Sequence, residues 1–167
     1  MTAYAPVQLL AIPDGLAGTD ATLRAMRQFI ITGSRDPSVR QFTAKLIAGI
    51  RPQKSTFATI GRIFDFVRDH VAYIPDILDV ETLHGAPFIL EHRYGDCDDK
   101  TILLLAMLRS VGFTTQIDAI LAGNNGHVIG SVVMGPGRFY YLDATENVPA
   151  GWFPPGRWPI HKSLRVD

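Results

Sequence analysis

The sequence predicts an α+β fold in which N-terminal helices precede a central buried helix packed on a small antiparallel β-sheet. Three observations carry this expectation. Apolar residues recur at helical spacing through the first half of the chain, the run Ile102–Leu108 is apolar on every side, and beyond Phe113 the pattern changes to short strand-like segments broken by glycine-rich turns.

In chain order, Met1–Gly18 carries Pro6, Pro13, Gly15 and Gly18 in close succession, which predicts an extended surface arm without a helix. Asp20 is placed to cap a first helix, in which Leu23, Met26 and Ile30 form the stripe and Gly33 is the stop. Asp36 ahead of Pro37 opens a second, because proline loses no hydrogen bond at the first helical position; Val39, Phe42, Leu46, Ile47 and Ile50 are its expected buried stripe. Ser55 is the expected cap of a third helix with the stripe Ile60, Ile63, Phe64, Val67 and Val71, after which Tyr73, Ile74 and Pro75 force an extended exit. Gly95 and Asp96 introduce the central helix from Cys97 to about Val111, ended by Gly112. Strands are expected over Phe113–Leu121, His127–Met134 and Phe139–Asp143, with turns at 123–126 and 135–137. The remaining tail holds Pro149, Pro154, Pro155 and Pro159 among Trp152, Phe153 and Trp158; it is expected to lack regular structure and to pack its aromatics across the sheet.

Composition narrows the function classes. Sixteen basic and sixteen acidic residues balance to zero formal charge, which leaves no electrostatic footprint for a polyanion, so nucleic acid is excluded as a main partner. Hydrophobic residues at 47% and charged residues at 19% fit neither a disordered chain nor a membrane protein, and no apolar run approaches the ~20 residues that cross a bilayer. The first fifteen residues lack the marks of a secretory signal, which makes the cytoplasm the expected location. Cys97 is the single cysteine, so neither an intrachain disulfide nor a cysteine zinc site can form; no metal or cofactor is expected.

That cysteine is either small core filler or a reactive thiol. It opens the most buried helix, where unpaired N–H groups and the helix dipole favour an anion, while Asp96, Asp98 and Asp99 oppose one. A nucleophilic thiol needs a base. Of His70, His84, His92, His127 and His161, only His127 opens a strand beside a glycine-rich turn, at a sheet edge where it can exchange protons. Asp143 closes the next strand in an apolar setting, where an aspartate is rare unless paired, although a simple turn-starting role is the plain alternative. A hairpin turning around Gly135 sets His127 directly opposite Asp143. A register shift of two leaves them diagonal on one face, and a shift of one separates them, so a nucleophile, base and orienter set of Cys97, His127 and Asp143 demands an even register.

The run Tyr94-Gly-Asp-Cys-Asp-Asp-Lys100, continued by Thr101-Ile-Leu-Leu-Leu-Ala-Met-Leu-Arg-Ser-Val-Gly112, resembles the Gly-Asp-Cys helix of the transglutaminase-like superfamily, a papain-like fold. Gly126-His-Val128 and Tyr141-Leu-Asp-Ala-Thr145 resemble its histidine and aspartate strands, in the family's order. The resemblance implies Cys97 as nucleophile, His127 as base and Asp143 as orienting carboxylate. It also divides the single domain into an arm and helical leader over 1–55, a catalytic core over 56–145 and a tail over 146–167 that packs on the core. Asp98 stands where animal transglutaminases often carry an aromatic residue, which favours the hydrolase-like branches over protein cross-linkers. Of the two oxyanion donors such chemistry needs, the Cys97 N–H is one by position; His92 or Tyr94 could be the other only by nearness in sequence. The leader Gly18-Thr-Asp-Ala-Thr-Leu-Arg24 is similar to stand-alone members from tailed bacteriophages and prophages. Some bacterial relatives hold Ca²⁺ near such an acidic cluster, but one helix start cannot supply six to eight oxygens, and capping accounts for Asp96, Asp98 and Asp99, with Lys100 as a local countercharge.

The expected activity is therefore cysteine-dependent amide or peptide hydrolysis, or acyl transfer, through a thioester, on a protein or peptide substrate. The alternative from another class is a structural or assembly protein of a tailed phage particle, with phage structural proteins as partners, an accessory or vestigial triad and a place in the host cytoplasm or the virion.

Overall fold

The computed structural model describes residues 8–9, 16–50, 55–76, 82–122, 125–153 and 160–167. A two-residue strand β1 (Gln8–Leu9) leads to helix α1 (Leu16–Arg35). Two expectations are corrected here. The helix begins before Asp20, taking in Gly18 of the supposed arm, and it runs through Gly33 instead of stopping there. Gly33 serves close packing: a Cβ at this position would lie 2.6 Å from that of Ala86 and 3.3 Å from that of Ala106. Asp20 is not the cap; it pairs with Arg24 one turn on and with Lys162 from the far end of the chain.

Helix α2 (Pro37–Leu46) starts as expected, with the Asp36 carboxylate accepting from the Ser38 and Val39 N–H groups, a cap that contributes about 1 kcal/mol. Its buried stripe is narrower than expected, Val39 and Thr43 being fully covered while Ile50 lies beyond the helix end. Helix α3 (Ser55–His70) buries Ile60, Ile63, Phe64 and Val67 completely, with Val71 just past its end. The extended exit is β2 (Ala72–Tyr73), followed by β3 (Thr82–Leu83), which pairs antiparallel with β1. Helix α4 (Ala86–His92) was not expected, although Gly85, Ala86 and Pro87 supply a start signal. After it, β4 (Tyr94–Gly95) runs parallel to β2, with Ala72 opposite Tyr94 and Tyr73 opposite Gly95.

The central helix α5 (Cys97–Ser110) matches its expected span and is buried from Asp98 through Leu108. Helices α1 to α4 all pack on it, and the sheet covers the remaining side through β5 (Thr115–Ala122) and β6 (Asn125–Gly135). At roughly 1.5–3 kcal/mol per large apolar side chain, the Ile102–Leu108 run is the main source of cohesion. Asn125 and Gly126 belong to β6 and not to a turn, whereas residues 123–124 lie outside those described. The hairpin to β7 (Arg138–Leu142) turns at 136–137.

The tail corrects another expectation. Residues 160–166 form a strand, β8 (Ile160–Val166), that adds antiparallel to β5 and gives a four-stranded sheet of order β7-β6-β5-β8. A buried carboxylate locks it in place: Asp118 accepts from Gln116 (2.7 Å), from Ser131 of β6 (2.6 Å) and from Ser163 of β8 (2.6 Å). Three donors offset the cost of burying that group. The 154–159 stretch with Trp158 lies outside the described residues, while Phe153 packs on Tyr141 at 4.5 Å between centroids, as a tail folding onto the sheet should. Among the described residues, no helix is long and apolar enough to cross a membrane.

Candidate active site

The β6–β7 ladder pairs Gly130 with Leu142 and Ser131 with Tyr141, displaced by two residues from the register that would set His127 opposite Asp143. The two therefore stand diagonally on one face, and the even-register requirement is met. His127 Nε2 lies 2.8 Å from Asp143 Oδ2. Asp143 divides its oxygens. Oδ1 accepts from the Thr145 N–H (3.0 Å) and hydroxyl (2.6 Å), starting the turn beyond β7, while Oδ2 holds the imidazole. Asp143 thus bonds the imidazole and starts the turn, and it sits one position past the strand instead of ending it.

These contacts fix the tautomer. An ionised carboxylate only accepts, so Nε2 carries the shared proton and Nδ1 keeps its lone pair. Burial by itself raises the Asp143 carboxyl; the His127 bond and charge and both Thr145 donors more than cancel that, holding it below the ordinary carboxylate value and ionised.

Cys97 opens α5 beside β6: its thiol donates to Asp98 Oδ1 at 3.5 Å, and one helical turn on Thr101 Oγ1 donates to the Val128 carbonyl at 3.3 Å. The Val128 carbonyl thus ties β6 to the first turn of α5, and the residue before it on the strand is His127. The thiol is pushed far up, first by burial and then by Asp98 and Asp96, with the Val128 N–H opposing. Asp96 caps α5, accepting from the Asp98 (3.0 Å) and Asp99 (3.1 Å) N–H groups; the Cys97 N–H takes no part in that cap.

The rest of the acidic cluster is dispersed. Asp99 accepts from the His84 N–H (2.8 Å) and bonds His84 Nδ1 (2.7 Å), a second His–Asp pair that sequence reasoning missed. Nothing in the spacing of residues 84 and 99 signals it, because the link depends on β4 and α4 folding back. Gly95 makes room: a Cβ there would come within 2.4 Å of Asp99 Cβ. Lys100 is not a countercharge to the cluster. Its ammonium points away, into the end of α3, donating to the carbonyls of Val71 (2.8 Å) and Arg68 (3.3 Å), a cation at a helix C-terminus. His92 Nδ1 is taken by the Phe88 carbonyl at 2.9 Å and its ring stacks on Phe88, so it is committed to α4. Among the described residues, no three His, Cys, Asp or Glu side chains are grouped to hold a metal ion.

Residues 40–144 match the sequence profile of the transglutaminase-like superfamily, a span that includes Cys97, His127 and Asp143. The chain belongs to the transglutaminase-like superfamily. No curated protein matches the sequence. Among solved structures, calcium-bound LapG from Legionella pneumophila is similar at a TM-score of 0.62 and 17% identity, over 85% of this chain and 83% of that one. A second LapG structure from the same organism gives 0.61 at 16% identity, over 87% and 84%. A protein from Cytophaga hutchinsonii, described provisionally as a cysteine protease, gives 0.56 at 17% identity; 82% of this chain aligns, spanning 45% of that protein. At these identities the likeness is one of fold.

Proposed function

We propose that this member of the superfamily is a cysteine-dependent amide hydrolase that acts on a protein or peptide through a thioester. The observation that carries the reading is the tie between the first turn of α5 and β6: Thr101 bonds the Val128 carbonyl at 3.3 Å, and the adjacent His127 is held by Asp143 at 2.8 Å. The fold similarity to the Cytophaga hutchinsonii protein described provisionally as a cysteine protease agrees with it.

The electrostatics select the order of events. A thiol pushed up by burial and two carboxylates rests protonated, so a preformed ion pair is not the starting state. His127 Nδ1 then acts as general base, accepting the thiol proton as sulfur bonds to the carbonyl carbon and the C=O electron pair moves to oxygen. Asp143, ionised and doubly held by Thr145, stabilises the imidazolium. The imidazolium returns its proton to the amine as the C–N bond breaks, leaving the thioester. Water, deprotonated by the same ring, adds to the thioester carbonyl; the C–S bond then breaks, the carboxylic acid leaves and the imidazolium returns its proton to the sulfur, whereas an amine in place of water would make the reaction a transfer.

The decisive experiment treats wild type and Cys97→Ser with p-nitrophenyl acetate and follows p-nitrophenolate release and mass. Wild type is expected to release one burst equivalent and gain one acetyl group, and the serine variant neither. Acetylation that persists in Cys97→Ser, or is absent from wild type, overturns the proposal.

A further inference from the structure

The tetrahedral intermediate of this reaction carries a negative oxygen that needs two donors, and the Cys97 N–H supplies one. We propose that the phenolic O–H of Tyr73 supplies the other. This inference rests on the hydrolase reading above and adds a catalytic residue to it.

Three observations converge on Tyr73. The first is direction. β2 and β4 run parallel with Tyr73 opposite Gly95, and residues opposed in a ladder project to the same face. The missing side chain of Gly95 would run into Asp99 on the first turn of α5, so that face is the one turned toward the Cys97 end of the central helix. Tyr73 stands over the same end. Tyr94, its neighbour in the pair, alternates to the opposite face, where its ring meets His84, Phe88 and His92 edge-on at 5.9–6.4 Å. Of the two donors that sequence proximity offered, His92 is bonded within α4 and the Tyr94 ring lies among His84, Phe88 and His92.

The second observation is availability. Tyr73 is 51% exposed, unusual for a large aromatic residue in this structure, and its hydroxyl makes no hydrogen bond with a described residue. By contrast, the Tyr140 hydroxyl donates to the Ala150 carbonyl at 2.9 Å. The backbone beneath Tyr73 is held firmly, with the Ala72 N–H on the Arg93 carbonyl at 2.8 Å and the Ile74 N–H on the Gly95 carbonyl at 3.0 Å. A free donor on a fixed strand is a preorganised one.

The third is electrostatic contact with the site. The phenol is pushed up by burial of part of its ring and by the negative charge of the surrounding Cys97, Asp96, Asp98 and Asp76 groups, so it keeps its proton at neutral pH and stays a donor. As sulfur attacks, the oxygen of the former carbonyl takes the π pair and accepts from the Tyr73 O–H and the Cys97 N–H. Both protons stay on their donors, and the bonds weaken again when the C=O re-forms.

Two reactions of the same sulfur separate this role from any other. Acetylation by p-nitrophenyl acetate passes through an oxyanion, whereas alkylation by iodoacetamide displaces iodide at a saturated carbon and does not. In Tyr73→Phe, which keeps the ring, the saturating acetylation rate is expected to fall about 10²-fold with the half-saturating concentration little changed. Iodoacetamide alkylation should stay within about 2-fold of wild type, the spread expected when no transition-state bond is lost. Tyr94→Phe should match wild type in both reactions. Wild-type acetylation in Tyr73→Phe overturns the inference and leaves the hydrolase reading standing, and so does an equal loss in acetylation and alkylation, which would place Tyr73 on thiol reactivity. A wild type that is alkylated but never acetylated removes the hydrolase reading itself.

Discussion

Two His–Asp pairs flank the start of α5, with nearly equal bond lengths and different settings. In His127–Asp143 the carboxylate has separate partners on its two oxygens and is held low and ionised. In His84–Asp99 both donors come from one residue, burial dominates so that the carboxyl is pushed up, and the imidazole stacks on Phe88 at 4.6 Å. The second pair fastens the segment ahead of α4 to the first turn of α5. A short His–Asp distance is therefore no signature of catalysis by itself; the two pairs differ in how the acid is kept charged.

The largest expected effect breaks the comparison by exchanging the two rings for alanine. On the hydrolase reading, His127→Ala lowers p-nitrophenyl acetate turnover about 10³-fold with little change in urea midpoint. His84→Ala keeps the turnover per folded molecule within about 3-fold and lowers the midpoint, since the buried Asp99 carboxyl loses its ring bond. Next comes Gly95→Ala, which drives a Cβ into Asp99 and is expected to cost about 1–3 kcal/mol in urea unfolding while the His127 side is untouched.

A finer test uses the opposite shifts of the two acids. Asp143 has a folded value below its unfolded one, so its contribution is present above the ordinary carboxylate value of about 4 and fades as pH falls through the lower folded value. Asp99 has a raised folded value, so its contribution is present below about 4 and fades as pH rises through that value. Urea unfolding across the carboxylate range should thus show the deficit of Asp143→Asn shrinking toward acid and that of Asp99→Asn shrinking toward neutral; parallel slopes would erase the distinction. The smallest effect lies far from both pairs. Asp20→Asn, which weakens partly exposed links to Lys162 and Arg24, should lower stability by no more than about 1 kcal/mol in thermal unfolding.

Much of this was legible in the sequence. The central helix was read from Ile102–Leu108 and the Asp36 cap from its proline, because both depend on neighbours within a turn. The His127–Asp143 pairing followed from strand alternation, which constrains parity even when the turn is misplaced by a residue. What failed depends on distant contacts. Gly33 looks like a helix stop unless Ala86 and Ala106 are known to press on it, and Lys100 looks like a local countercharge unless the end of α3 is known to lie beneath it. Proline density hid β8, whose prolines all precede the strand. Tyr73 carries no sequence signal at all; its candidacy comes from a two-residue parallel pairing that local pattern cannot reveal.

The strand formed by 160–166 makes β5 an interior strand, because β6 bonds one side of it and β8 the other. Peeling β8 away would bare a row of main-chain donors and acceptors beside Ile117 and Ala119, and would strip Asp118 of the Ser163 hydroxyl. Such an edge is a template for pairing with another chain, so β8 keeps β5 from presenting one.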